Sequence, residues 1–190
     1  MRSFMIAATM AALTATPLYA QQRDNPPAGA APSGGAHVSD TFSVLTELQG
    51  LYDEISQATL QFTNESDVDL FHDVIYAPDW MFTDGAGHTQ TWKEMRAAAV
   101  QALSEPLPDS IVQPIQKLTP VPNGATVIVN LTTVSTGIDV EGRHGRPGAL
   151  HTLTVTTVFR DAWVHGSDGW KLKSRQQVGQ PKQLVDQREF

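Results

Sequence analysis

The sequence predicts an α+β domain in which helices pack on a curved sheet, and three observations predict it. Apolar residues recur at helical spacing between Leu45 and Ile75. From Ser110 onward the apolar period changes to two, the period of a half-buried strand. The breaks between strands carry hairpin dipeptides, Asp84-Gly85, Asn123-Gly124 and Asp168-Gly169. Helices first and long strands after is the α+β order, and no repeat or second domain interrupts it.

Residues 1–20 read as an export signal. Arg2 supplies the basic start, Phe4 to Leu13 a short apolar run, and Leu18-Tyr19-Ala20 ends on a small residue. The run is too short and too rich in alanine for a membrane span. No cysteine follows it, so a lipid anchor is excluded, and the expected location is periplasmic or secreted. Residues 21–37 (QQRDNPPAGAAPSGGAH) have almost no side chain to bury and read as a flexible linker. Residues 38–180, the size of one compact domain, form the folded unit, and 181–190 a polar tail.

Composition excludes several function classes. With no cysteine, the chain has no disulfides, no thiol chemistry and no cysteine-based zinc site. A formal charge of -7 without a basic run argues against nucleic acid. No helix carries a Lys/Arg-rich face for a membrane surface. The histidines His37, His72, His144, His151 and His165 are scattered, so no metal site is expected. No phosphate loop and no Gly-x-Ser-x-Gly elbow occurs, which leaves no footing for a nucleotide cofactor or a hydrolase triad.

In chain order, Ser39 or Asp40 caps a first helix whose Leu45, Leu48, Tyr52, Ile55 and Phe62 share a stripe, with Gly50 inside it. Asn64-Glu65 breaks the period, and Ser66 starts a second helix with Val68, Phe71 and Ile75 on one face. Ala77-Pro78 ends it. Trp80 to Thr83 is a strand, Asp84 to Gly87 a turn, and His88 to Gln90 a return strand. Thr91-Trp92-Lys93-Glu94 is a capping box opening a third helix striped by Trp92, Met95, Ala99 and Leu103. Ile111, Ile115 and Leu118 belong to one strand interrupted by Pro114, the mark of an edge or a bulge. Ala125–Thr136, Leu150–Val164 and Trp170–Gln177 follow as strands. In the last, Trp170, Leu172 and Ser174 share one face, and Lys171, Lys173 and Arg175 the solvent face.

The segments YAPDWMFTDGAG, TWKEM and DAWVHGSDGWKLKS, in this order and spacing, resemble the nuclear transport factor 2-like superfamily. The resemblance is nearest to its SnoaL-like and ketosteroid-isomerase-like branches and spans Thr41 to Gln177. It implies a cone-shaped, curved antiparallel sheet covered by about three N-terminal helices, and a homodimer through the open sheet face. That superfamily mixes isomerases, dehydratases, cyclases and hydrolases with non-catalytic modules, so fold alone assigns no reaction.

The resemblance also implies site residues. The acidic position at the end of the first strand falls on Asp84, where isomerase-like members keep a general base. A second acidic position, in the penultimate strand, falls on Asp161 and would donate a hydrogen bond to an oxyanion if held protonated. Trp80, Phe82 and Trp163 would wall the cavity, with Tyr52 and Tyr76 completing a ligand-lining set. The family's helix tyrosine would sit at Ala58 to Leu60, and Tyr52 lies about two turns too early to replace it.

Blander readings stand beside these. Asp-Gly is a strong hairpin pair, so Asp84 also reads as a turn residue bonding its own backbone. Asp161 also reads as a strand carboxylate paired with Arg160, Arg175 or solvent. His88 reads either as an acid–base partner of Asp84 or as a surface histidine. Two functions follow: an exported module that binds a small hydrophobic molecule in an aromatic-lined pocket, or a cofactor-independent isomerase, dehydratase or cyclase with Asp84 as base.

Overall fold

Three helices lie over one face of a curved, unclosed sheet in the computed structural model, which describes residues 37–139, 146 and 148–189. The predicted signal (1–20) and the predicted linker as far as residue 36 lie outside the described residues. Helix α1 (His37–Thr59) starts ahead of the Ser39/Asp40 cap and passes unbroken through Gly50. Its inward stripe, Leu48, Tyr52 and Ile55, is buried. Helix α2 (Glu65–Ile75) starts one residue before the predicted Ser66. Asn64 and Asp67 form a capping box there, each side chain bonding the other's backbone N–H. Val68, Phe71 and Ile75 are buried on its sheet side, as their spacing predicts. Helix α3 (Trp92–Ala102) opens on Glu94, whose carboxylate accepts the Thr91 N–H at 2.8 Å. Arg96 of α3 grips Asp69 of α2 at 2.6 and 2.7 Å, joining the two short helices.

The strands are β1 (Tyr76–Thr83), β2 (Thr89–Thr91), β3 (Ser110–Val112), β4 (Ile115–Val121), β5 (Gly124–Asp139), β6 (Ala149–Gly166), β7 (Gly169–Val185) and β8 (Arg188–Glu189). They lie in the order β2-β1-β7-β6-β5-β3, with β4 also on β5 and β8 on β7. Three features differ from the sequence-based expectation. The sheet is mixed, because β1 pairs with β7 in parallel. A chain that leaves β1 through a hairpin and α3, then builds the meander outward-in, returns β7 alongside β1 in the same direction. The interrupted strand is two strands, β3 and β4, both paired with β5 and parted at Gln113-Pro114. The last strand runs past Gln177 to Val185, and Arg188–Glu189 folds back on it, so the polar tail is part of the sheet. Gly179, at φ +72, bends β7 where the alternation is lost.

Along β5 and β6 the period of two holds strictly. Ala125, Val127, Val129 and Leu131 point to the helices, and so do Val155, Thr157, Phe159, Asp161 and Trp163. Gly124, where β5 begins, touches β6 backbone so closely that a Cβ there would lie 2.2 Å from the Trp163 carbonyl oxygen. Gly124→Ala should therefore cost about 1–3 kcal/mol by forcing the strands apart. A thermal melt equal to that of the parent would contradict this packing.

Candidate functional site

Inside the cone, where the helices meet the sheet, the chain places its own polar side chains. Asp161 of β6 is fully buried, and three donors from two residues occupy its carboxylate. Tyr52 donates its phenol O–H to Oδ2 at 2.6 Å. Arg175 of β7 closes a two-point fork, Nε to Oδ1 at 2.9 Å and Nη2 to Oδ2 at 2.7 Å. Tyr52 also accepts the indole N–H of Trp163 at 2.9 Å, and the two rings meet edge to face. Arg175 donates in addition to Gln113 Oε1 at 3.2 Å, and its guanidinium lies 4.8 Å from the Phe159 ring centre. Gln113 Nε2 donates to Ser56 Oγ at 3.1 Å, and Ser56 donates back to the Tyr52 carbonyl at 2.8 Å. The circuit joins α1, the β3–β4 junction, β6 and β7, and each of its five polar members is at most 5 % exposed.

Arg175 is the residue that the alternation misplaces. Opposite β6, Ala162 faces Ser174 but Trp163 faces Leu172, so Lys173 is an extra residue in β7. This bulge turns the pleat by one step, and Leu172 and Arg175 both point inward although they are three apart. The predicted solvent face of Lys171, Lys173 and Arg175 is thus corrected at Arg175. Lys173 reaches outward to Asp79.

Tyr52 is a second correction. It lies early in the helix relative to the position implied by the resemblance, yet α1 crosses β6 so that its phenol meets Asp161 directly. Burial, and then the neighbouring Asp161 charge, pushes the Tyr52 phenol well above its usual range. Burial likewise pushes Tyr76 up to about 12. Burial pulls Arg175 downward, but the charge and hydrogen bonds of Asp161 outweigh it and hold the guanidinium protonated.

A phenol raised in the fold contributes stability that is complete below its unfolded pKa of about 10 and is lost as pH rises through the folded value. Stability should fall by about 1.4 kcal/mol per pH unit per buried phenol above pH 10. The chain has three tyrosines, and only Tyr52 and Tyr76 remain once residues 1–20 are removed. Phenolate absorbance of that domain should stay flat until it unfolds. Smooth titration of both phenols near pH 10 in folded protein would contradict their burial.

Asp84 and His88 lie elsewhere. The Asp84 Oδ1 accepts the backbone N–H groups of Ala86 and His88 at 2.9 and 2.8 Å, and Oδ2 faces His88 Nδ1 at 3.1 Å. These bonds, the His88 backbone N–H first, hold the Asp84 carboxyl below its usual range. His88 is 78 % exposed. Asp84 and Asp161 share no partner, so the structure brings Asp84 to His88 and Asp161 to Tyr52 but does not join the two acids.

Of the aromatic set, Trp80, Trp163, Tyr52 and Tyr76 are buried and Phe82 is half-buried between Trp80 and Phe159. They form a packed cluster. An open groove of about 500 Å³ lies instead between α1 and β4, lined by Leu45, Thr46, Gln49, Gly50, Asp53 and Ile115, none of them in the predicted ligand set.

Sequence reasoning missed Gln113 and Ser56. Ser56 carried a signal, one turn after Tyr52 on the same stripe; Gln113 carried none.

No family model matches the chain, and no curated protein matches it. Solved structures do. A protein from Kribbella flavida is 14% identical with a TM-score of 0.50, over 77% of this chain and 95% of its own. A nuclear transport factor 2-like protein from Cytophaga hutchinsonii is 17% identical over 76% of this chain and 99% of its own, TM-score 0.46. A nuclear transport factor 2-like superfamily protein from Salmonella enterica is 14% identical over 73% and 92%, TM-score 0.47. At this identity the likeness is one of fold alone, an α+β cone.

Proposed function

We propose that this chain is an exported, SnoaL-like binding domain that holds a small, largely apolar molecule without turning it over. The observation that carries this reading is the buried carboxylate of Asp161, held by three donors of the chain itself. A general base needs a free lone pair, and an oxyanion donor needs a protonated acid. Asp161 is wholly buried and bonded to a guanidinium and a phenol at once, so a substrate would have to displace one of them to reach it. Asp84, the other acid, is engaged by its own turn. Binding then falls to the aromatic cluster around β1, where Tyr76, Trp80 and Phe82 supply stacking surface at low entropic cost.

Export places the domain in the periplasm or outside the cell. A second copy is the proposed partner, seated on the outer sheet face, which by register carries the exposed Val112, Ile138, Leu150, Val164 and Val178 along its length. Sedimentation of the domain lacking residues 1–20 tests this, a dimer being expected and a monomer at all concentrations contradicting it.

The test of function pairs a thermal-shift screen of apolar ring compounds with proton-exchange assays on ketones in heavy water. The reading expects ligands that raise Tm and no deuterium next to the carbonyl. Deuterium incorporation lost in Asp161→Asn or Asp84→Asn would overturn it in favour of an isomerase-type enzyme.

A further inference from the structure

The sheet ends on β3 and β4, which among the described residues pair with β5 and with no other strand, so their far side is an open edge. An open edge presents N–H and C=O groups with which another chain can pair. The segment Ser110 to Val121 reads SIVQPIQKLTPV and carries one charge, Lys117. Val112 and Val121 are exposed on it. Little charge and several β-branched residues are what a self-pairing strand needs.

Helix α1 answers this edge at one point. The Gln49 carboxamide donates through Nε2 to the Gln113 carbonyl at 3.2 Å and accepts the Ile115 N–H through Oε1 at 3.0 Å. Those two groups lie on one side of the chain, and one residue of a parallel neighbouring strand would take up both. An antiparallel neighbour would need the same two. Pro114, between them, turns its carbonyl the other way, to the Asn130 N–H of β5 at 3.2 Å. Asp53, one helical turn on, accepts the second Nε2 hydrogen at 2.9 Å. A carboxylate only accepts, so Asp53 fixes which end of the carboxamide is nitrogen. Gln49 therefore stands where an added strand would stand.

The rest of the edge is interrupted. Val121 pairs with Gly124 across a two-residue turn, so Pro120 faces outward, and it has no N–H to offer. A register shift between Ile115 and Lys117 bends the strand. Between that bend and Pro120, Leu118 is the residue that turns its N–H and C=O outward. Space does not close the edge at Ile115. The groove of about 500 Å³ between α1 and β4 lies there, and a Cβ on Gly50 would meet nothing within 4 Å.

We propose that Gln49 is an autoinhibitory contact: it occupies the strand-pairing groups of Gln113 and Ile115, and the partner it shuts out is a second copy of this chain. A second copy is the partner because this edge is its own complement. Two such edges related by a two-fold axis run antiparallel, and each brings exposed valines and a single charge. This contact is separate from pairing through the outer sheet face and does not depend on what the domain binds.

Gln49→Leu keeps a good helix former and removes both bonds. Amide hydrogen exchange and sedimentation of the chain lacking residues 1–20 read the result together. In dilute solution the Ile115 amide should exchange about tenfold faster than in the parent. At millimolar chain the variant should gain mass beyond the parent's own assembly, and the Ile115 and Leu118 amides should become protected as it does. Asp53→Ala, which loosens the carboxamide without removing it, should produce the same changes to a smaller degree.

Unchanged exchange at Ile115 in Gln49→Leu would show that Gln49 does not hold the edge. Faster exchange with the parent's mass at every concentration would show that Pro120 and the bend close it without Gln49. Added mass without protection at Ile115 and Leu118 would place the association elsewhere. Each of these results overturns the proposal, and none of them bears on ligand binding.

Discussion

Arg175→Ala should lower the free energy of unfolding by about 3–5 kcal/mol, because it leaves the buried carboxylate of Asp161 without its counter-charge. The pair is costly to build and costlier to break. Two charges withdrawn from water recover the desolvation penalty only through their mutual attraction and a full set of hydrogen bonds. Here the set is full: fork, phenol, amide and hydroxyl all find partners. Removing one charge retains the other's penalty and none of the compensation. Replacing both, as in Arg175→Met with Asp161→Leu, should restore much of the loss. Urea denaturation measures all three. A single variant within 1 kcal/mol of the parent, on the order of a surface pair, would contradict the buried geometry.

Tyr52→Phe should cost about 2–4 kcal/mol although it removes one oxygen. That oxygen makes two bonds, donating to Asp161 and accepting from Trp163. A hydrogen bond to a charged group contributes about 1.5–3 kcal/mol, and the Trp163 N–H left unpaired adds a desolvation cost. The ring itself stays, so the edge-to-face contact with Trp163 is kept and the loss isolates the hydroxyl. Urea denaturation at neutral pH reads it, and a difference below about 0.5 kcal/mol would show that the hydroxyl is solvated rather than buried.

Much of the fold was legible because its periods are clean. The stripe on α2, the box that opens α3, and the period of two in β5 each place the side chains where the sequence predicts. Asp161 was named a candidate through the family resemblance, and the strand agrees with it: it stands two residues from Phe159 and two from Trp163, so all three face the same way. Its partner was not legible. Lys171-Leu172-Lys173-Ser174-Arg175 alternates so regularly that nothing in it announces an extra residue, and one bulge turns Arg175 from solvent into the core. Tyr52 was misjudged for a different reason. Position along a helix does not fix contact with a sheet, because the crossing of α1 over β6 decides which turn lies above Asp161. The parallel pairing of β1 with β7 joins residues about ninety apart, and local pattern carries no trace of it.

The same circuit that stabilises the cone bears on its function. Catalytic use of an acid in this position asks for a carboxyl that changes partners during reaction. Asp161, Tyr52 and Arg175 hold each other in one arrangement, with Gln113 and Ser56 fixing the far side.

Hydrogen exchange of the Trp163 indole N–H tests this account most directly, because that proton sits within the closed interior, bonded to Tyr52. A closed circuit around Asp161 predicts exchange only through global unfolding, with a free energy of opening equal to that from urea denaturation. Exchange orders of magnitude faster, under conditions where the fold is intact, would mean that the interior opens to solvent and substrate and would contradict it.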